Sequence, residues 1–250
     1  MAVFNSFTFD EINSLSHGIY VTGEAVFNAP ERMVEMIQIP GKNGALAIDQ
    51  GYFSNIEVTY PAGCFADSMR DFADKIAEFR NVLASRYSYK TLTDTYHPGE
   101  YRLALYKAGL EVSPVRYNSA AQFSITFECK PQRWLTSGNT VKIYTRSGGT
   151  LTNPTLFEAK PLISVTGSGT VTVGDKTLTV LPGTSSSQTI YIDCETMEAW
   201  EILEGGGMIA RNDYVQNVDD GFPTLKPGDN TVLGGTGISF IRITPRWWTI

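Results

Sequence analysis

The most regular alternation in the chain is Phe123-Ser124-Ile125-Thr126-Phe127-Glu128-Cys129, where every second residue is apolar. A period of two sends successive side chains to opposite faces, so this segment predicts a strand with one buried face. Asn55-Ile56-Glu57-Val58-Thr59-Tyr60 alternates in the same way, and Pro40-Gly41-Lys42-Asn43-Gly44 before it has turn composition. Together they predict a hairpin or meander. Between residues 65 and 85 the period lengthens: Phe65, Met69, Phe72, Ile76, Phe79 and Leu83 recur at steps of four and three, the stripe of an amphipathic helix. Asp67 stands where an N-cap or first-turn acid would act, and Asp71 and Lys75 are spaced for an i,i+4 pair on the outer face.

Around Lys130-Pro131-Gln132-Arg133-Trp134-Leu135-Thr136-Ser137-Gly138 the alternation stops, and a boundary near residue 136 divides the chain into domains 1–136 and 137–250. Beyond it Thr, Gly, Val and Ile dominate. Thr170 to Val173 and Thr177 to Val180 flank Gly174-Asp175-Lys176 as a hairpin with a three-residue loop, and Thr189 to Cys194, Thr231 to Leu233 and Ile238 to Thr244 are further strands. With no helical period among them, the second domain reads as a β-sandwich. The fold class expected is mostly β with one amphipathic helix in the N-terminal domain, an α+β arrangement, followed by an all-β domain.

The 250 residues, 42% hydrophobic and 18% charged, describe a folded chain rather than a disordered one. A net charge of −6 without a basic cluster argues against nucleic acid as the main partner. Met1-Ala2-Val3-Phe4-Asn5 lacks the regions of a signal peptide, and no apolar run has membrane-spanning length, so the expectation is a soluble protein made in a cytoplasm, without membrane insertion. Cys64, Cys129 and Cys194 are odd in number and evenly spread, which reads as buried free thiols rather than disulfides or a zinc site.

Catalytic chemistry finds little support. His17 in Ser16-His17-Gly18 and His97 before Pro98-Gly99 read as exposed turn residues, and no G-x-S-x-G, H-E-x-x-H or C-x-x-C motif occurs. Gly41-Lys42-Asn43-Gly44 lacks the spacing of a phosphate loop, and Asp219-Asp220-Gly221 lacks that of a calcium loop, so both read as turns. Glu195, Glu198, Glu201 and Glu204, spaced by three, read as a solvated face in a segment that could be locally helical rather than as a glycosidase pair. No catalytic, cofactor or metal residue is assigned, and the expectation is a non-enzyme.

Several segments resemble the distal tail protein family of siphophages, the ring-forming hubs of the tail tip. They are Ile39-Pro40-Gly41-Lys42-Asn43-Gly44, Asn55 to Tyr60, the helix with Phe72 and Phe79, and Phe127-Glu128-Cys129-Lys130-Pro131. The second half adds Asn153-Pro154-Thr155, Pro161-Leu162-Ile163, Tyr191-Ile192-Asp193-Cys194, Met197-Glu198-Ala199-Trp200, Phe222 to Asn230 and Pro245-Arg246-Trp247-Trp248. The resemblance implies an N-terminal domain that assembles into a homo-hexameric ring continuing the tail tube, and a C-terminal galectin-like β-sandwich projecting outward. It implies a place at the virion tail tip. The implied partners are the major tail tube protein, the tape-measure protein, a tail-associated lysin or tail spike and receptor-binding proteins, with DNA only passing through the lumen.

For contacts between subunits the candidates are aromatic: Phe4, Phe7 and Phe9 near the start, and Trp247 and Trp248 near the end, each of which also suits a core. The competing function is a carbohydrate-binding module for host-surface glycans; a true galectin site places a Trp with a nearby His, Asn, Arg and Glu, and Trp200-Glu201 is its one local counterpart, with no His in the second half. A cell-wall hydrolase is the least supported of the three.

Overall fold

The computed structural model describes residues 4–22, 27–115, 120–183, 188–217 and 221–250. It divides into two compact units, one running to Arg133 and one from Trp134 to Thr249.

The first unit is a sheet with one helix upon it. Its strands lie in the order Ile12–Asn13, Phe7–Phe9, Lys90–Asp94, Glu100–Leu105, Ala120–Leu135, Ile56–Phe65 and Ile19–Val21. The two alternating segments seen in the sequence are neighbours, paired antiparallel with Ile125 opposite Tyr60 and Phe127 opposite Val58. Partners across an antiparallel ladder share a face, so this register brings two apolar rows together on the core side. Their outward partners Thr59 and Thr126 are joined by a 2.9 Å hydrogen bond.

Phe127 is the centre of the core. It meets Phe9 at 5.0 Å between ring centroids, Phe7 at 5.3 Å and Tyr106 at 5.8 Å. Phe7 also stacks on Tyr60 at 5.1 Å. Rings at these separations and tilts pair edge to face or offset, adding to the stabilisation that burial already provides.

The helix runs Met69–Ala84 and is capped by Ser68, whose Oγ accepts the Asp71 N–H at 3.1 Å. Asp67, expected at the cap or in the first turn, lies one residue before it and donates its N–H to Asp71 Oδ2 at 3.0 Å. Asp71 also receives Lys75 Nζ at 2.9 Å, the expected i,i+4 pair. The buried face is Phe72, Phe79 and Leu83, with Ile76 beside them. Phe65 and Met69 drop out of the predicted stripe. Phe65 ends the strand Ile56–Phe65, and Met69 sits in the first turn with its side chain exposed.

Pro40 to Gly44 is a turn, but it joins Arg32–Gln38 to Ala45–Phe53, not to the strand that starts at Ile56. These two strands form a separate two-stranded ribbon.

The second unit is a sandwich of two antiparallel sheets. One has the order Lys142–Thr145, Ile238–Thr244, Leu162–Gly167, Thr189–Asp193, Glu198–Ile202, Met208–Ala210; the other has the order Gly149–Asn153, Gly228–Gly234, Gly169–Val173, Lys176–Val180, Val215–Asn217. Ile163, Val165, Ile190, Ile192, Ile241 and Ile243 from the first meet Leu151, Val171, Val173, Leu178, Val180 and Val232 from the second in one core. The predicted three-residue hairpin loop is shorter: Lys176 enters the ladder opposite Val173, leaving Gly174-Asp175 as the turn. Gly174 has φ +64, and a Cβ there would lie 2.6 Å from the Thr224 carbonyl oxygen, so glycine is required on two counts.

Two buried asparagines hold the loops at one end of the sandwich. Asn153 donates through Nδ2 to the carbonyls of Phe157 (2.9 Å) and Leu225 (3.0 Å) while Oδ1 accepts from Thr155 N (2.9 Å) and Thr155 Oγ1 (2.8 Å). Asn230 clasps its own turn, donating to Lys226 O at 2.8 Å and Gly228 O at 2.9 Å and accepting from Lys226 N at 2.9 Å. An amide carries two donors and one acceptor oxygen, so each side chain replaces ladder bonds the loop backbone cannot make itself.

A candidate assembly surface

The ribbon Arg32–Gln38 and Ala45–Phe53 is apolar where the chain leaves it uncovered. Across its ladder Ile37 faces Leu46 and Glu35 faces Ile48, which puts Ile37, Leu46 and Ile48 on one face. Met36 faces Ala47 and, with Val34 and Ala45, makes the other. Met36 is 63% exposed and Leu46 50%. Polar pairs brace it internally: Arg32 to Asp49, and Gln50 Nε2 to Glu35 Oε2 at 3.2 Å. At its tip Lys42 N–H closes the turn on Ile39 O at 3.1 Å, and Gly41 and Gly44 hold φ of +81 and +82. A two-stranded ribbon is marginal by itself in water, and here neither face is covered by the described residues of the chain. Its strands pair only with each other, so both outer edges also keep unpaired backbone groups.

The aromatic candidates separate into three groups. Phe7 and Phe9 are fully buried in the first unit's core. Trp247 is buried in the second core, while Trp248 is partly exposed, stacks on Phe157 at 4.4 Å and donates Nε1 to Glu158 O at 2.9 Å. Phe4 remains exposed, with its ring 4.9 Å from Tyr20.

The histidines are not the exposed turn residues expected. His17 ends a short 3-10 helix, Ser14–His17, facing Glu78 at 3.3 Å, and His97 packs against Asp94 at 2.9 Å with its ring largely buried. The glutamates do not share a helix face. Glu198 and Glu201 lie on the strand Glu198–Ile202, where a step of three reverses the face, and Glu195 and Glu204 fall in turns. Glu201 is tied to Arg211 at 2.9 Å and Gln188 at 2.7 Å. Asp219 and Asp220 lie outside the described residues. Among those described, no group of three or more His, Cys, Asp or Glu is arranged to hold a metal, and no helix is long and apolar enough to cross a membrane.

The three thiols are buried and unpaired. Burial pushes Cys129 and Cys194 up to about 12 and raises Cys64 as well. None is poised as a nucleophile, which requires a lowered value.

Residues 6–129 match the model of the phage tail protein RIFT-related domain family. No curated protein matches by sequence. Among solved structures, the crystal structure of the Dit protein (gp 19.1) of phage SPP1, described as a paradigm of the hub adsorption apparatus in Gram-positive infecting phages, superposes with a TM-score of 0.73. It is 17% identical, and the match covers 99% of this chain and 100% of that one. The phage p2 baseplate in its activated conformation, with strontium and with calcium, contains a chain that matches with a TM-score of 0.52 at 9% identity, covering 96% of this chain and 98% of that one. Residues 6–129 thus match the phage tail protein RIFT-related domain family, and the fold of the chain as a whole is that of the SPP1 distal tail protein Dit.

Proposed function

We propose that the protein is a structural, non-enzymatic hub of a phage tail tip. Its copies join in a hexameric ring that continues the tail tube, and its second unit, read as a galectin-like sandwich, carries tail-associated and receptor-binding proteins on the outside. Tube, tape-measure protein and passing DNA are the partners on the axis. The observation that carries this reading is the ribbon Arg32–Gln38 and Ala45–Phe53, whose apolar side chains find no cover in their own chain. A closed ring needs two different complementary patches per subunit, and a projecting ribbon supplies one of them. Phe4 and Trp248 are the remaining aromatic candidates for the contact.

Light scattering over a concentration series tests it. Six copies of a 27.5 kDa chain give about 165 kDa. A ring of that mass, visible by negative stain, is the expected result; a single chain at every concentration, alone and with tail tube protein added, overturns the ring.

One observation favours glycan binding as a second reading. Trp200 and Tyr191 are cross-strand neighbours opposite the core-facing Ala199 and Ile192, and their rings stack at 5.8 Å, nearly parallel. Binding of the intact protein to host cell-wall polysaccharide, lost in Trp200→Ala, would support it, and no binding would remove it.

A further inference from the structure

The turn at the tip of the ribbon carries the chain's one Asn-Gly pair, Asn43-Gly44. Every other asparagine precedes a residue with a side chain, and Asn153 precedes a proline, which has no N–H. Asn43 and Gly44 are both exposed. Neither the Asn43 amide nor the Gly44 N–H makes a hydrogen bond among the described residues; Gly44 contributes only its carbonyl, which accepts from Gln38 Nε2 at 3.4 Å. Gly44 holds φ +82, and a Cβ built on it would meet nothing within 4 Å.

Three properties therefore meet in one turn. The side-chain carboxamide is free to rotate, the next backbone N–H has no acceptor to hold it, and the missing side chain of glycine leaves the approach between them open. A bond from the Gly44 nitrogen to Asn43 Cγ closes a five-membered ring through the main-chain carbon, Cα and Cβ of Asn43. Reaction within one residue's reach replaces an encounter between separate molecules, which lowers its entropic cost. Asn153 and Asn230, by contrast, are buried with their amides held by hydrogen bonds.

We propose that Asn43 is a site of spontaneous deamidation, with the Gly44 backbone nitrogen as nucleophile and water as co-reactant. A base from solvent removes the Gly44 N–H proton, the nitrogen bonds to Asn43 Cγ, and the bond from Cγ to the amide nitrogen breaks, releasing ammonia with a proton from solvent. Water then adds to one of the two carbonyl carbons of the succinimide, and the ring C–N bond at that carbon breaks. Opening at Cγ leaves aspartate at position 43; opening at the main-chain carbon leaves isoaspartate, whose chain runs on through Cβ and Cγ. One water is consumed, one ammonia is released, and nothing is oxidised or reduced.

Either product carries one more negative charge than the formal −6 of the chain. The isoaspartyl product also lengthens the main chain by one carbon between Gln38 and Ala45, the last pair of the ladder. The reaction thus changes both the charge and the closure of the ribbon tip. It does not depend on ring formation.

The test incubates the full-length protein at about pH 8.5 and about pH 6.5 and maps its peptides by mass spectrometry, with isoaspartate detected by enzymatic methylation. The Asn43 peptide should gain the mass of NH2 exchanged for OH, in aspartyl and isoaspartyl forms, severalfold faster at the higher pH, while the other asparagine peptides stay unchanged. Asn43→Gln, which would have to close a six-membered ring, should abolish the acidic species on ion exchange and leave Tm where it was. Met36→Lys with Leu46→Lys is mapped alongside, so that a tip covered by a neighbouring copy is not mistaken for an inert one. No conversion at Asn43 in either folded protein, with conversion after denaturation in urea, overturns the proposal. Acidic species that persist in Asn43→Gln, or conversion spread evenly over the asparagines, overturn it equally.

Discussion

Arg246 grips Asp193 with two parallel hydrogen bonds, Nη1 to Oδ1 at 2.8 Å and Nη2 to Oδ2 at 2.9 Å. Burial is the largest influence on the Asp193 carboxyl and would raise it. The Arg246 guanidinium and the N–H groups of Glu195 and Thr196 together outweigh burial and hold it below the usual range. A group lowered in the folded state contributes stability that is present above its unfolded value, about 3.9, and lost as the pH falls through the folded one. Arg246→Ala should therefore destabilise the protein by about 2 kcal/mol at neutral pH, and by progressively less below about pH 4, when urea midpoints are compared across pH. A constant difference down to pH 2 would contradict this.

Asn153 makes four hydrogen bonds from a buried position, linking its own loop to Leu225. Asn153→Ala should cost about 1–3 kcal/mol in chemical denaturation, because it leaves the Thr155 N–H without its acceptor and takes one of two donors from each of the Phe157 and Leu225 carbonyls. Asn153→Asp, which keeps the acceptor and loses both donors, should recover only part.

Substitutions on the ribbon should separate assembly from folding. Met36 and Leu46 are exposed in the single chain, so Met36→Lys with Leu46→Lys should move Tm by no more than about 1–2 °C. The same pair should shift the proposed ring to single chains in light scattering. A doubly substituted protein that still forms rings would remove the ribbon from the interface.

Gly148 has φ +68, and a Cβ built there would stand 1.8 Å from Val232 O. Backbone cannot yield as a flexible side chain can. Gly148→Ala should lower stability by about 2 kcal/mol or more, measured by thermal unfolding, whereas Gly41→Ala at the open ribbon tip should cost about 1 kcal/mol from its positive φ alone.

All three thiols should resist an aromatic disulfide reagent at about pH 8 in the native protein, and all three should react after denaturation. Fast reaction of any one thiol in the native state would mean that its cover opens locally.

Much of the fold is written in local periodicity. Phe123 to Cys129 and Asn55 to Tyr60 alternate because each has one face in the core, and that pattern survives without knowledge of the partner strand. The helix shows itself through Phe72, Ile76, Phe79 and Leu83, but its start does not: Ser68 caps it, and the apolar Phe65 and Met69 merely continue the spacing. The ribbon escapes because its strands have no buried face, so hydrophobic and polar residues need not alternate there. The Asp94–His97–Arg102–Arg133 cluster escapes for the opposite reason. Asp94, Arg102 and Arg133 come from three different strands and His97 from the turn between the first two, and only Arg102, inward between the strand positions Glu100 and Ala104, gives a local sign of burial. The resemblance to tail proteins, in contrast, rests partly on residues with visible structural duties: Asn153, Leu225, Asn230 and Trp247 all tie loops or fill the second core.

In the second unit the chain is fastened where it comes in to where it leaves. Leu135 N–H donates to Trp247 O at 2.9 Å, and Arg246 N–H donates to Gly138 O at 2.9 Å; a Cβ on Gly138 would stand 2.4 Å from Trp247 N. A module whose two connections lie side by side can be spliced into a surface loop of another protein with short joints and little strain on either host or guest. By the same geometry it can be exchanged for a different module without disturbing the piece of chain that precedes it.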